Sequence, residues 1–121
     1  MPARLDRAYA LIDAANAADP AGEAERYGRR MTETLEAFAP DAPETLKIAA
    51  RAQHIERWTV PRSSYPEGRI AYLTWRKDLQ KMHARRAGEI MAACGYGEEE
   101  IARTASLLRK ERLKQDPDAQ T

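Results

Sequence analysis

Residues 69–95 read RIAYLTWRKDLQKMHARRAGEIMAACG, and this stretch decides the fold class. No proline interrupts it, and Leu79, His83, Ala87, Ile90 and Cys94 recur at the three- and four-residue intervals that line one face of a helix. The spacing predicts a long helix over 69–94. Gly95 closes it, because the residue after a helix end often takes a left-handed conformation that suits glycine. A strand cannot use such a pattern, so the chain should be all-α.

Upstream, residues 58–68 hold Pro61, Pro66, Ser63, Ser64 and Gly68, which reads as an ordered loop. Before it, a helix over 42–57 is expected, capped by Asp41 ahead of Pro43. Downstream, a helix over 98–112 carries Glu98, Glu99 and Glu100 at its positive end and Arg109, Lys110 and Arg112 at its negative end. The N-terminal third supplies two more helices. One runs over 3–17 with Leu5, Ala8, Tyr9 and Ile12 on one side, stopped by Asp19-Pro20. The other runs over 22–39 with Tyr27, Met31, Leu35 and Phe38 facing inward. Five helices in one domain is the expectation for 121 residues. Asp116-Pro117 resembles a further helix start, so the bundle is expected to lack a C-terminal helix, with 113–121 as a tail.

Charge and composition narrow the function classes. Twenty Lys and Arg against nineteen Asp and Glu give a net charge of +1, so no global field attracts nucleic acid or an anionic membrane. No run of about 18 apolar residues exists to span a bilayer. One cysteine, Cys94, excludes an internal disulfide and multi-cysteine zinc patterns. A reducing, cytoplasmic setting is the expectation, with no secretory signal at Met1–Asp13.

The charge is local. From Arg51 to Arg86 nine basic residues face three acidic ones, and Trp58, Tyr65, Tyr72 and Trp75 lie in the same stretch. Guanidinium forks match phosphate and carboxylate, and flat rings offer stacking faces. Arg57, Arg62, Arg69 and Arg76 are therefore candidate anion contacts, and Trp58, Tyr65, Tyr72 and Trp75 candidate walls. Arg109 and Lys110 are more distant candidates, whose place at a helix C-terminus also explains them. The competing reading has arginine stems covering the rings of a packed loop, with solvated heads. His54 falls on the line Leu46, Ala50, His54, and His83 on the line of the fourth helix, so both imidazoles are expected inside. As an acid and base pair they would be the catalytic candidates; as buried core histidines they would do no chemistry. Two imidazoles are too few for zinc, and no metal ligand or cofactor is assigned, although a divalent ion remains in view.

The order of these features resembles the HD-domain phosphohydrolases, helical metal-dependent enzymes. Residues 49–55, AARAQHI, resemble the helix ending in the family's His-Asp doublet, with His54 in the histidine place and Ile55 in that of the metal-binding Asp. His83 and the residues after it resemble the family's later His and its helix, whereas Tyr27 to Met31 lacks the first His. The resemblance implies an HD-like orthogonal bundle with a degenerate metal site. QHIERW at 53–58, PRSSYP at 61–66, and Gly68-Arg69 through Tyr72-Leu73-Thr74-Trp75-Arg76 are similar to an uncharacterised bacterial family, domain of unknown function 4202. The expected function is binding of a small phosphorylated or otherwise anionic, nucleotide-like ligand. A phosphohydrolase is one alternative, with or without metal. Another is an interaction module that forms a homodimer through an uncovered apolar face. Single-stranded RNA binding ranks last.

Overall fold

A computed structural model describes residues 3–109. The described residues form five α-helices, α1 (Arg4–Asn16), α2 (Glu23–Phe38), α3 (Glu44–Arg51), α4 (Arg69–Ala93) and α5 (Glu98–Leu108), with short 3-10 turns at Arg57–Thr59 and Arg62–Ser64. Among the described residues there is no strand, and no helix is long and apolar enough to cross a membrane. The all-α expectation holds. The fifth helix, expected over 98–112, ends at Leu108 with Arg109 as its cap, and residues 110–112 and the tail over 113–121 lie outside the described residues.

Each helix is set by local chemistry that the sequence displays. Ala8, Ile12 and Asn16 give α1 a buried face at four-residue spacing. Asp19 then starts α2 from outside it: Oδ2 accepts the amides of Glu23 and Ala24, and Oδ1 that of Ala21, while Gly22 turns the chain at φ +67°. Gly95, at φ +91°, ends α4 as its composition requires. The Glu100 carboxylate accepts the Gly97 amide to open α5.

The helix α3 packs against α1, α2 and α5, and α4 packs against α5 and α1. Ile12, Ile48, Ile55 and Met91 are fully buried where these helices meet. Each such side chain contributes about 1.5–3 kcal/mol of transfer free energy. The contact of α2 with α3 is close enough to need a glycine: a Cβ on Gly28 would lie 2.9 Å from the Arg51 carbonyl oxygen. Gly28→Ala gains about 1 kcal/mol of helix propensity but overpacks at a cost of about 1–3 kcal/mol. Its expected result is a lower thermal midpoint, and a midpoint at or above wild type would show that the two helices have room to part.

Two expectations need correction. The third helix does not run over 42–57. It starts after Pro43, Asp41 makes no cap bond, and it stops at Arg51. Beyond it the backbone turns through Glu56 at φ +52°, a conformation uncommon for a residue with a Cβ. Distant groups hold that turn. Asn16 Oδ1 accepts the Glu56 amide at 2.9 Å, His83 Nδ1 donates to the Ile55 carbonyl at 2.9 Å, and Arg86 Nε pairs with the Glu56 carboxylate at 2.5 Å. Together they offset strain of about 1–3 kcal/mol. Phe38, expected inside, is 82% exposed, because α2 runs past its last buried residue, Leu35, before the chain turns back towards α3.

Candidate functional site

The early end of α3 frees residues 53–61 to form one wall of a cleft of about 620 Å³. The opposite wall is the N-terminal half of α2 with Asp19 ahead of it, and Trp75 enters from α4. Six side chains give the cleft its chemistry: Arg26, Arg30, His54, Arg57, Trp58 and Trp75.

His54 stacks on Tyr27, with ring centroids 3.7 Å apart and planes within 8°. Its Nε2 lies 3.4 Å from Arg57 Nη1. A guanidinium only donates, so Nε2 is the acceptor and the proton of the neutral imidazole sits on Nδ1. The Arg57 guanidinium also lies over the Trp75 ring, 5.2 Å from its centroid, which places it between a π face and an imidazole nitrogen. Trp75 is itself fixed by donating Nε1–H to the Val60 carbonyl at 2.7 Å.

Asp19 and Glu23 are the acids of the cleft. Hydrogen bonds from the amides of Ala24, Ala21 and Glu23 hold the Asp19 carboxyl below its usual range. Because this carboxylate already accepts the first amides of α2, an incoming anion would have to rely on the arginine side chains instead.

Of the residues singled out from the sequence, His54, Arg57, Trp58 and Trp75 come together here. His83 stands behind them, buried, with its ring centroid 6.4 Å from that of His54 and its Nδ1–H committed to Ile55. Burial pushes its pKa down to about 4, helped by Arg57 and opposed by the Ile55 carbonyl and Glu56.

The rest lie elsewhere. Arg62 turns back on its own loop and donates to the carbonyls of Tyr65, Pro66 and Gly68. Tyr65 donates its hydroxyl to Asp78 at 2.5 Å, which raises the pKa of the phenol. Arg69 and Arg76 are exposed on α4, and the guanidinium groups of Arg62 and Arg76 each lie 5.9 Å from the centroid of the Tyr72 ring. Arg109 is exposed at the end of α5, and Lys110 lies outside the described residues.

Sequence reasoning missed Arg26, Tyr27 and Arg30. Their signal was present, because Arg26 and Arg30 share a helix face at i, i+4 and Tyr27 adjoins them. Nothing local, however, connects that face with residues 53–61. Among the described residues no group of three or more His, Cys, Asp or Glu side chains is placed to hold a metal ion.

No curated protein and no solved structure matches this chain. One family model does, over residues 6–121, and its description is Domain of unknown function (DUF4202). With nearly its whole length matched, the chain belongs to the DUF4202 family.

Proposed function

We propose that the cleft binds a small phosphorylated, nucleotide-like anion. Arg57, Arg26 and Arg30 would contact its charge, and Trp58, Trp75 and Tyr27 would bound a flat ring. One observation carries the reading. Three arginines line a single cleft, whereas the ion pairs among the described residues fall on Arg4, Arg29, Arg51, Arg85 and Arg86. Guanidinium groups not committed to carboxylates are available for bidentate contacts with phosphate oxygens. Arg62, Arg69 and Arg76 supply none of the proposed contacts, because they lie outside the cleft.

The HD-like reading of the bundle rests on the order of its motifs, with Ile55 in the place of a metal-binding Asp. Ile55 is fully buried and its carbonyl accepts from His83. Binding is preferred to phosphoester hydrolysis, because the Nε2 lone pair of His54 faces Arg57 and His83 is held neutral behind it. A cytoplasmic setting suits such a ligand and the single buried Cys94.

Calorimetric titration with ADP and with inorganic pyrophosphate tests the proposal. Arg57→Ala should weaken binding by about 1.5–3 kcal/mol, or roughly 10- to 150-fold. Arg30→Ala should also weaken it, and as an exposed residue Arg30 can be removed with little risk to the fold. Arg69→Ala should leave binding unchanged. Absence of binding to either ligand, or equal affinity in the Arg57 and Arg30 variants, would defeat the reading. Release of phosphate that depends on His54 would favour the hydrolase instead.

A further inference from the structure

Tyr27, Trp58 and Trp75 line the cleft together, and two of the three are engaged by other groups of the protein. Trp75 is 7% exposed, donates its N–H to the Val60 carbonyl and lies beneath the Arg57 guanidinium. Tyr27 gives a face to His54, with ring centroids 3.7 Å apart. Trp58 differs from both. Among the described residues its ring enters no ring or cation contact and its indole N–H no hydrogen bond, although it is half-buried in the cleft wall. A tryptophan removed from bulk water usually finds a partner for that N–H.

The backbone that carries Trp58 is, by contrast, firmly held. Trp58 is the middle residue of the 3-10 turn Arg57–Thr59. The amides of Thr59 and Val60 donate to the carbonyls of Glu56 and Arg57 at 3.0 and 3.2 Å, and the Thr59 hydroxyl donates to the Glu56 carbonyl at 2.7 Å. The Val60 carbonyl, one bond pair further on, accepts from Trp75. A bulky ring on so constrained a turn loses little further freedom when a ligand covers it. Its neighbour in the chain is Arg57, so a stacking group and an anion contact stand on consecutive residues.

Resting on the anion site proposed above, we infer that Trp58 is the platform on which the base of the ligand stacks, and that the ligand is a purine nucleotide. Every base has a π face, so stacking on an indole selects by area rather than by a hydrogen-bond code. The two fused rings of a purine cover more of the indole than the single ring of a pyrimidine. A nucleotide also carries its charge and its ring close together, as Arg57 and Trp58 would receive them.

Calorimetric titration of the wild type and of Trp58→Leu with ADP, CDP and inorganic pyrophosphate provides the test. The wild type should bind ADP more tightly than either CDP or pyrophosphate. Trp58→Leu should bind ADP about 5- to 150-fold more weakly, the usual effect of removing one aromatic platform, with its affinity for pyrophosphate unchanged. Trp58→Phe keeps a stacking ring and should retain most of the ADP affinity. A second measurement uses the wild type alone: Trp58 and Trp75 are the two tryptophans of the chain, and ADP should quench their emission.

A Trp58→Leu variant that keeps its ADP affinity, or that loses ADP and pyrophosphate in equal measure, overturns the assignment. CDP binding as tight as that of ADP overturns the purine preference. Pyrophosphate binding that depends on Arg57, with ADP bound no more tightly, overturns the base platform while leaving the anion site in place. Binding of neither ADP nor pyrophosphate overturns both. If circular dichroism shows that Trp58→Leu does not fold, the wild type decides: ADP no tighter than pyrophosphate, or no quenching by ADP, defeats the inference.

Discussion

Asp13→Ala should cost about 3–5 kcal/mol of folding stability, the penalty for removing one partner of a buried ion pair. Arg51 closes α3 with its side chain 9% exposed, and Asp13 of α1 is 16% exposed. The two meet in a fork, Arg51 Nε to Oδ1 at 2.9 Å and Nη2 to Oδ2 at 2.6 Å, while the guanidinium lies over the Tyr9 ring. Arginine does not shed its proton to escape burial, so deleting the carboxylate leaves a full charge without its counter-ion. Arg29, 3.4 Å from the same carboxylate, would then be a like charge nearby.

Against a typical total of about 5–15 kcal/mol, a loss of that size would leave a much less stable domain. The double variant Asp13→Ala/Arg51→Met should recover much of the loss, because no buried charge remains and the methionine refills the space. Urea unfolding of the wild type, both single variants and the double variant would measure this. An Asp13→Ala variant within about 0.5 kcal/mol of wild type, or a double variant no better than Asp13→Ala, would show that the Arg51 charge is not stranded by loss of the carboxylate.

Acid should weaken the fold through His83. Its pKa falls from 6.5 in the unfolded chain to about 4 in the folded one, chiefly because burial disfavours the charged ring. Between those values the unfolded chain holds a proton that the folded chain does not. Stability from this group is therefore complete above pH 6.5 and is lost as the pH falls towards 4. At about 1.4 kcal/mol per pH unit, the loss over that window is about 3 kcal/mol.

Carboxylates also protonate in acid, so the discriminating measurement is a difference. His83→Gln keeps a donor for the Ile55 carbonyl without the titration. Its stability relative to wild type should improve steadily from pH 6.5 to 4. A difference that stays flat across this range would show that the His83 ring is not held neutral by burial. The prediction bears on the cleft because the same ring holds the turn that carries His54 and Arg57.

Helix periodicity, glycine and proline placement and terminal charge are properties of neighbouring residues. By themselves they gave the all-α class, the positions of α1, α2, α4 and α5, the role of Gly95 and the approach of His54 to His83. Where α3 ends is a different kind of fact. The pattern Leu46, Ala50, His54 continues the helix, but Asn16 and His83 take the backbone groups of Glu56 and Ile55 from far along the chain and stop it at Arg51.

That termination makes the cleft. It brings Arg57 and Trp58 opposite Arg26 and Arg30, whereas Arg62, equally basic in sequence, spends its donors on the carbonyls of its own loop. Phe38 follows the same logic, apolar and in phase with Leu35 yet left outside where α2 outruns its partners. A helix face is written in its own residues. Where the helix stops, and what stands across from it, depends on hydrogen bonds and packing between segments that only the folded chain brings together.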